Sequence, residues 1–204
     1  MNLYGQGCAK IDKSALGTTE LHCAACDGNL GELLRALLTC KHSINEPNIY
    51  GETPLHWSCH NPYPVQQVLL SSKANPNARD CEGNTPLHWA CQEDNLIAVK
   101  ALLANGADID SENEDYETPI EIACQNGSRE TFGFLLDRSS ETCDLLSLIC
   151  QYDQPQLLED LLSNPKQHHS TSQIQMAVQT ASAFNRKECS AILSRHVNNK
   201  PNQQ

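Results

Sequence analysis

The tetrapeptide Thr-Pro-Leu-His begins at Thr53 and again 32 residues later at Thr85, and each copy is followed by a tryptophan, a small residue and a cysteine. Thr19-Glu20-Leu21-His22 lies 34 residues before the first copy, and Thr118-Pro119-Ile120-Glu121 lies 33 after the second. A motif recurring at this period means one small unit stacked on copies of itself, because a single unit cannot bury its own apolar face. Each copy reads as a helix start. The threonine hydroxyl can cap the first turn, and proline at the next position gives up an N–H that has no intrahelical partner there. Thr118 and Glu121 have the spacing of a full capping box, while His56 and His88 take the glutamate's place in their copies.

The apolar pattern after each start predicts a helix, a turn and a second helix. Leu21, Ala24, Ala25, Leu33, Leu34, Leu37 and Leu38 form this line in the first unit, and Leu55, Cys59, Val65 and Val68 to Leu70 form it in the second. Leu87, Ala90, Cys91, Leu96, Val99 and Leu102 follow in the third, and Ile120, Ala123, Cys124 and Leu135 in the fourth. Gly28 stands at the turn joining the helices of the first unit, Asn61-Pro62-Tyr63-Pro64 makes a stiffer turn in the second, and Gly106 is expected to supply the left-handed residue that stops a helix in the third. The connection through Asp137-Arg138-Ser139-Ser140 lacks a Gly-Ala such as Gly106-Ala107, which launches the finger after the third unit, so the finger there is expected to be short or absent. A fifth unit is read from Leu146, Ile149, Cys150, Leu157, Leu158, Leu161 and Leu162, and a sixth from Met176, Thr180, Ala181, Cys189, Ile192 and Leu193.

These two lack the tetrapeptide and are read as caps of an open stack. The organisation is therefore a leader over 1–17, four clear repeats over 18–140, two degenerate capping repeats over 141–196 and a polar tail over 197–204. The four repeats run from about 18–49, 50–81, 82–114 and 115–140.

Composition excludes several classes. Aromatics make up only 5% of the 204 residues against 39% hydrophobic residues overall, which suits thin layers rather than one large core. With 25 acids against 14 bases, a net charge of −11 and no Lys/Arg cluster, neither nucleic acid nor an anionic membrane is expected as partner. The first twenty residues lack the apolar stretch of a signal peptide, and no apolar run approaches the roughly 18 residues of a membrane span. The eleven cysteines are odd in number and sit mostly inside the helical pattern, so they read as reduced thiols in cytoplasm or nucleus. Cys59, Cys91, Cys124 and Cys150 share one register position and are read as packing groups.

The period and the Thr-Pro-Leu-His core resemble an ankyrin repeat protein. The resemblance covers about 17–140 strongly and 141–196 weakly. It implies an all-α repeat solenoid of about six helix-turn-helix units, with hairpin fingers between the first four. It also implies that the motif histidines tie neighbouring units by hydrogen bonds, and that other proteins are bound on the fingers and first helices, which line a concave groove. Asn77 stands where ankyrin asparagines are sometimes hydroxylated.

Trp57 and Trp89 follow the motif histidine at positions that commonly face this groove in the family. They are read as partner anchors, with sealing of the unit junction as the alternative. Seven acids between Asp108 and Glu121, including Asp110, Glu112, Glu114 and Asp115, make the third finger acidic, and Tyr116 replaces the tip glycine kept as Gly51 and Gly83. Tyr50, Glu82, His60, Gln92, Glu93 and Gln125 complete the candidate partner-binding set, with Ile49, Cys81, Asn61 and Asn126 beside them. The expected partner is another protein with a basic or amphipathic segment, and the chain itself is expected to be a monomer.

No phosphate-binding loop, nucleophile elbow, zinc-protease helix or dinucleotide fingerprint is present, so no catalytic residue, metal or cofactor is assigned. Two alternatives stay open. One is a microbial ankyrin effector acting in a host cell; the other is a thiol-based zinc or redox protein using Cys23-Ala24-Ala25-Cys26, with Cys40-Lys41-His42 or Cys59-His60 as the other half.

Overall fold

The computed structural model describes residues 16–39, 43–61, 65–139, 144–164, 167 and 169–199. Twelve helices and no strand are found among them. They follow in six pairs: α1 (Glu20–Asp27) with α2 (Leu30–Thr39), α3 (Pro54–Ser58) with α4 (Val65–Ser71), and α5 (Pro86–Gln92) with α6 (Leu96–Ala104). The series continues as α7 (Pro119–Asn126) with α8 (Arg129–Leu136), α9 (Leu145–Gln151) with α10 (Pro155–Ser163), and α11 (Thr171–Ala183) with α12 (Lys187–Asn199). The chain divides into two compact units, one ending at Pro119 and the other beginning at Ile120. The fourth helix pair thus belongs with the last two, although its Thr-Pro start groups it in sequence with the first three. Helix α12 continues to Asn199, past the expected start of the polar tail.

Local chemistry sets where these helices begin. Thr19, Thr53 and Thr85 are extended N-caps that close capping boxes with the histidine three residues on. Their backbone N–H groups donate to Nδ1 of His22, His56 and His88 at 3.1, 3.0 and 3.1 Å. Ser170 and Gln173 build the same box at α11, a signal present in the sequence as Ser-x-x-Gln. The turn inside a pair uses a left-handed residue at Gly28, Asp94, Gly127, Asp153 and Asn185. Glycine, aspartate and asparagine are the residues that tolerate this conformation. Gly106, at φ +85°, ends the third pair as expected.

In the first unit Leu21, Ala25, Leu33, Leu55, Leu69, Leu87, Ala90, Val99 and Leu102 are buried; in the second Ile120, Phe132, Leu135, Ile149, Leu158, Ala177 and Leu193 are. The cysteine column is buried throughout, at Cys59, Cys91, Cys124 and Cys150. Cys59 Sγ lies between two pairs, its one proton within reach of the carbonyls of Leu55 at 3.4 Å and Pro86 at 3.2 Å. Met176 corrects the reading of the sixth pair: it is exposed, and Ile174, Ala177 and Ala181, at helical spacing, make the buried line. The leader over 1–15, the turn at 62–64 and the connection at 140–143 lie outside the described residues. Among the described residues no helix is long and apolar enough to cross a membrane.

Candidate functional site

Three fingers project from the first unit, each folded around one side chain. Asn48 Oδ1 accepts the N–H groups of Tyr50 and Glu52 at 2.9 and 3.0 Å. Asp80 Oδ1 takes those of Glu82 and Asn84 at 2.9 and 2.8 Å, and Asn113 Oδ1 those of Asp115 and Glu117, both at 2.9 Å. Three residues beyond each stands a left-handed residue: Gly51, Gly83 and Tyr116, at φ +76°, +77° and +61°. A tyrosine there costs about 1 kcal/mol or more relative to glycine. The strain projects a ring that is 81% exposed.

Backbone hydrogen bonds tie the tips into a row. Ile49 N–H donates to the Leu16 carbonyl at 3.1 Å, Cys81 to Tyr50 at 2.8 Å and Glu114 to Glu82 at 2.9 Å. Finger bases are bracketed as well: Asn45 Oδ1 accepts from Asn75 N–H at 2.7 Å and Asn77 Oδ1 from Asp108 N–H at 2.8 Å, with Asn77 Nδ2 donating to the Gly106 carbonyl. Asn77 is thereby assigned a structural task, as both ends of its amide are used.

Behind the tips, the motif histidines join each first helix to the next finger. Nδ1 accepts from threonine N–H, so Nε2 carries the proton and donates to the carbonyls of Glu52, Asn84 and Glu117 at 2.9, 3.1 and 3.0 Å. Burial holds all three histidines below the usual range, outweighing the carbonyl bonds and the nearby carboxylates of Glu52 and Asp80. They are neutral structural ties, as the resemblance implied.

The tryptophans belong to the same network, and this corrects the expectation of partly exposed anchors. Trp57 is 2% and Trp89 9% exposed. Each ring meets the histidine of the preceding pair edge-on, His22 with Trp57 at 5.5 Å and His56 with Trp89 at 5.6 Å between centroids. Trp57 Nε1 donates to Glu52 at 2.7 Å and Trp89 Nε1 to Asp80 at 2.9 Å. The finger acids draw the indole N–H groups inward, leaving the rings no groove face to offer. Their arrangement is the sealing alternative. The signal for it was an acid at the finger, Glu52 and Asp80, in reach of each indole.

Among the other candidates, Ile49, Tyr50, Cys81, Glu82, Gln92, Glu112, Glu114, Asp115 and Asn126 are exposed. Tyr50 and Ile49 are 44% and 62% accessible. Asp110 is half-buried, its N–H held by Asp108 Oδ1 at 3.2 Å. His60 and Glu93 are half-buried and meet at 3.1 Å, with the His60 ring also against Trp89. Gln125 belongs to the second unit, half-buried, its carbonyl accepting from Gln154 at 3.2 Å.

Asn61 is buried, a second correction: its amide donates to the Cys26 carbonyl at 3.0 Å. It starts a series that sequence reasoning missed, in which a polar side chain caps the first helix of the pair before it. Asn95 does so for Cys59 at 2.9 Å, Gln154 for Gln125 and Arg186 for Gln151 at 3.0 Å.

Cys81 is exposed, but desolvation and the Asp80 and Glu82 charges push its thiol pKa up. Burial pushes Cys124 and Cys150 up to about 12, and it raises the Cys59 and Cys91 thiols as well. Cys23 and Cys26 are half-buried, and among the described residues no three His, Cys, Asp or Glu side chains converge as a metal would require. Cys40 and His42, invoked in the zinc alternative, lie outside those residues.

The family model for ankyrin repeats, in three copies, matches residues 2–80 and 63–145. The human ASB11 ankyrin repeat domain superposes with a TM-score of 0.71 at 24% identity, covering 91% of this chain and 86% of that one. The ankyrin repeat domain of Bcl-3, described as a unique member of the IkappaB family, gives 0.71 at 26% identity, covering 88% and 86%. No curated protein sequence is significantly similar. Ankyrin repeats generally mediate protein–protein interaction and are typically noncatalytic. With most of its length matched by the family model and its helix pairs, fingers and histidine ties all in place, the chain belongs to the ankyrin repeat family.

Proposed function

We propose that the chain is a noncatalytic protein-interaction module whose finger tips in the first unit receive a basic or amphipathic segment of another protein. The observation that carries this reading is the tip row itself: Ile49, Tyr50, Glu82, Glu114, Asp115 and Tyr116 stand exposed on turns that backbone hydrogen bonds hold in series. The row combines aromatic rings able to bury area at little entropic cost with carboxylates that steer a cationic partner. A preorganised row loses little freedom on binding. Trp57 and Trp89 support the row from behind and do not touch the partner in this reading. Gln92, at the end of α5, and His60 and Glu93, just past the ends of α3 and α5, are the next candidates for contact.

Tyr116→Gly gives a clean test, since glycine fits the left-handed tip better than tyrosine and the fold should be retained. Captured prey that falls at least tenfold with Tyr50→Ala/Tyr116→Gly, and that also dissociates as salt is raised from 50 to 300 mM, would support the tip row. Prey retained equally by wild type and variant, at both salt concentrations, would remove the tips from the binding surface.

A further inference from the structure

Across the three finger segments, 43–52, 75–84 and 108–117, there are ten acids and one Lys or Arg, which is Arg79. Its guanidinium lies over the tip of the second finger. A Cβ added at Gly83 would stand 2.7 Å from Arg79 Nη2 and 2.9 Å from Glu114 N, so the missing side chain leaves room for the guanidinium where the second and third fingers meet. Across this gap Nη2 faces Glu114 Oε1 at 3.8 Å, with the arginine side chain 46% and the glutamate 72% accessible. A single-pronged, solvated ion pair at that distance contributes little and exchanges readily. Its geometry nevertheless shows what the gap accepts: a planar cation seated against the Gly83 tip, opposite a carboxylate.

We infer that Arg79 is a built-in competitor, occupying a guanidinium seat formed by Gly83 and Glu114 that an arginine of the partner segment takes over on binding. This rests on the reading of the tips as a surface for basic segments and adds to it the chemical group recognised and the residue that holds the seat when no partner is present. Lysine fits the seat less well, because a compact ammonium brings a point charge where a guanidinium brings a planar fork of donors. Displacing Arg79 costs the incoming arginine the small stability of the resident pair, which lowers affinity for weakly basic segments and favours those with further contacts to Tyr50 or Tyr116.

The test is fluorescence anisotropy with labelled hexa-arginine and hexa-lysine peptides at low salt, using wild type, Arg79→Ala and Arg35→Ala. The last removes the same charge from an exposed position on α2, outside the finger segments. Far-UV circular dichroism and melting curves confirm that each variant is folded. Arg79→Ala should bind hexa-arginine about two- to fivefold more tightly than Arg35→Ala does, with a smaller gain for hexa-lysine, and adding Glu114→Gln should abolish the gain. Equal gains for Arg79→Ala and Arg35→Ala would show an effect of net charge alone and overturn the seat, leaving the tip surface intact. Absence of binding by all proteins, including Arg79→Ala, would overturn both the seat and the tip reading.

Discussion

The two compact units are built from the same helix pair but held by different means. In the first, a histidine ties each pair to the finger that follows it, and at two junctions a buried tryptophan anchored on a finger acid joins that tie. In the second, the helix pairs rest on plain apolar layers, such as Phe132, Leu135, Ile149 and Leu158, with exposed polar ties such as the two-pronged Arg129–Asp160 bond at 2.6 and 2.8 Å. Charge follows the same division. Residues 1–119 carry 16 acids and 7 bases, a net −9, whereas residues 120–204 carry 9 and 7, a net −2. The first unit spends side chains on fingers and their buried supports, whereas the second relies on apolar layers and exposed polar pairs.

The largest difference should appear at one register position, four residues after the helix-capping threonine. Trp57 and Trp89 hold it in the first unit and Ile122, half-buried, in the second. Trp57→Ala removes a fully buried ring and leaves Glu52 without its indole donor, and should cost about 3–5 kcal/mol in urea unfolding. Ile122→Ala should cost less than half of that. Equal losses would mean that the tryptophan network adds nothing beyond ordinary packing and would erase the contrast between the units.

Acid should separate the units next. The unfolded chain protonates its histidines near 6.5, while burial keeps His22, His56 and His88 neutral in the fold to lower pH, His56 to about 4. Their contribution is therefore complete above about 6.5 and is lost as pH falls from there toward the folded values. Each histidine that stays neutral removes up to about 1.4 kcal/mol per pH unit within that window. Both tryptophans of the chain lie in the first unit, so their fluorescence reports that unit alone while circular dichroism reports all helices. Between pH 7.5 and 5.5 the urea midpoint seen by fluorescence should fall more than the midpoint of any second transition seen by dichroism. A midpoint independent of pH would show that these imidazoles are not the ties described.

What was legible in the sequence was whatever one repeat copies from another. Thr19, Thr53 and Thr85 announced helix starts through local backbone chemistry, and the cysteine column through a single shared register. The tip glycines made the substitution by Tyr116 visible against Gly51 and Gly83. Features that depend on a contact between a finger and a helix, or between two repeats, were not legible from register. The direction of the Trp57 and Trp89 rings was decided by Glu52 and Asp80 on the fingers, a contact that register alone does not reveal. Asn61 looked like a groove residue by position, yet its amide was needed to cap α1 at Cys26. Met176 misled because the sixth pair has no tetrapeptide to fix its register, and the helix face was set by burial of Ile174, Ala177 and Ala181.

The smallest effect tests the one tie that the two units share. Gly28 and Gly127 are both left-handed, at φ +67° and +69°, and each sits under the amide that caps its helix from the next pair. A Cβ would meet the amide of Asn61 at 2.3 Å in the first case and that of Gln154 at 2.5 Å in the second. Alanine costs about 1–2 kcal/mol at either position from the backbone alone. The remainder differs because the neighbours differ. Asn61 is short and buried, and its amide cannot withdraw without abandoning the Cys26 carbonyl; Gln154 is half-buried and has an extra methylene through which to swing aside. Gly28→Ala should therefore exceed Gly127→Ala by about 1 kcal/mol in urea unfolding, and Asn61→Ala should remove most of that excess by clearing the clash. Equal costs for the two glycines would place the whole penalty in φ and show that the capping amides yield equally in both units.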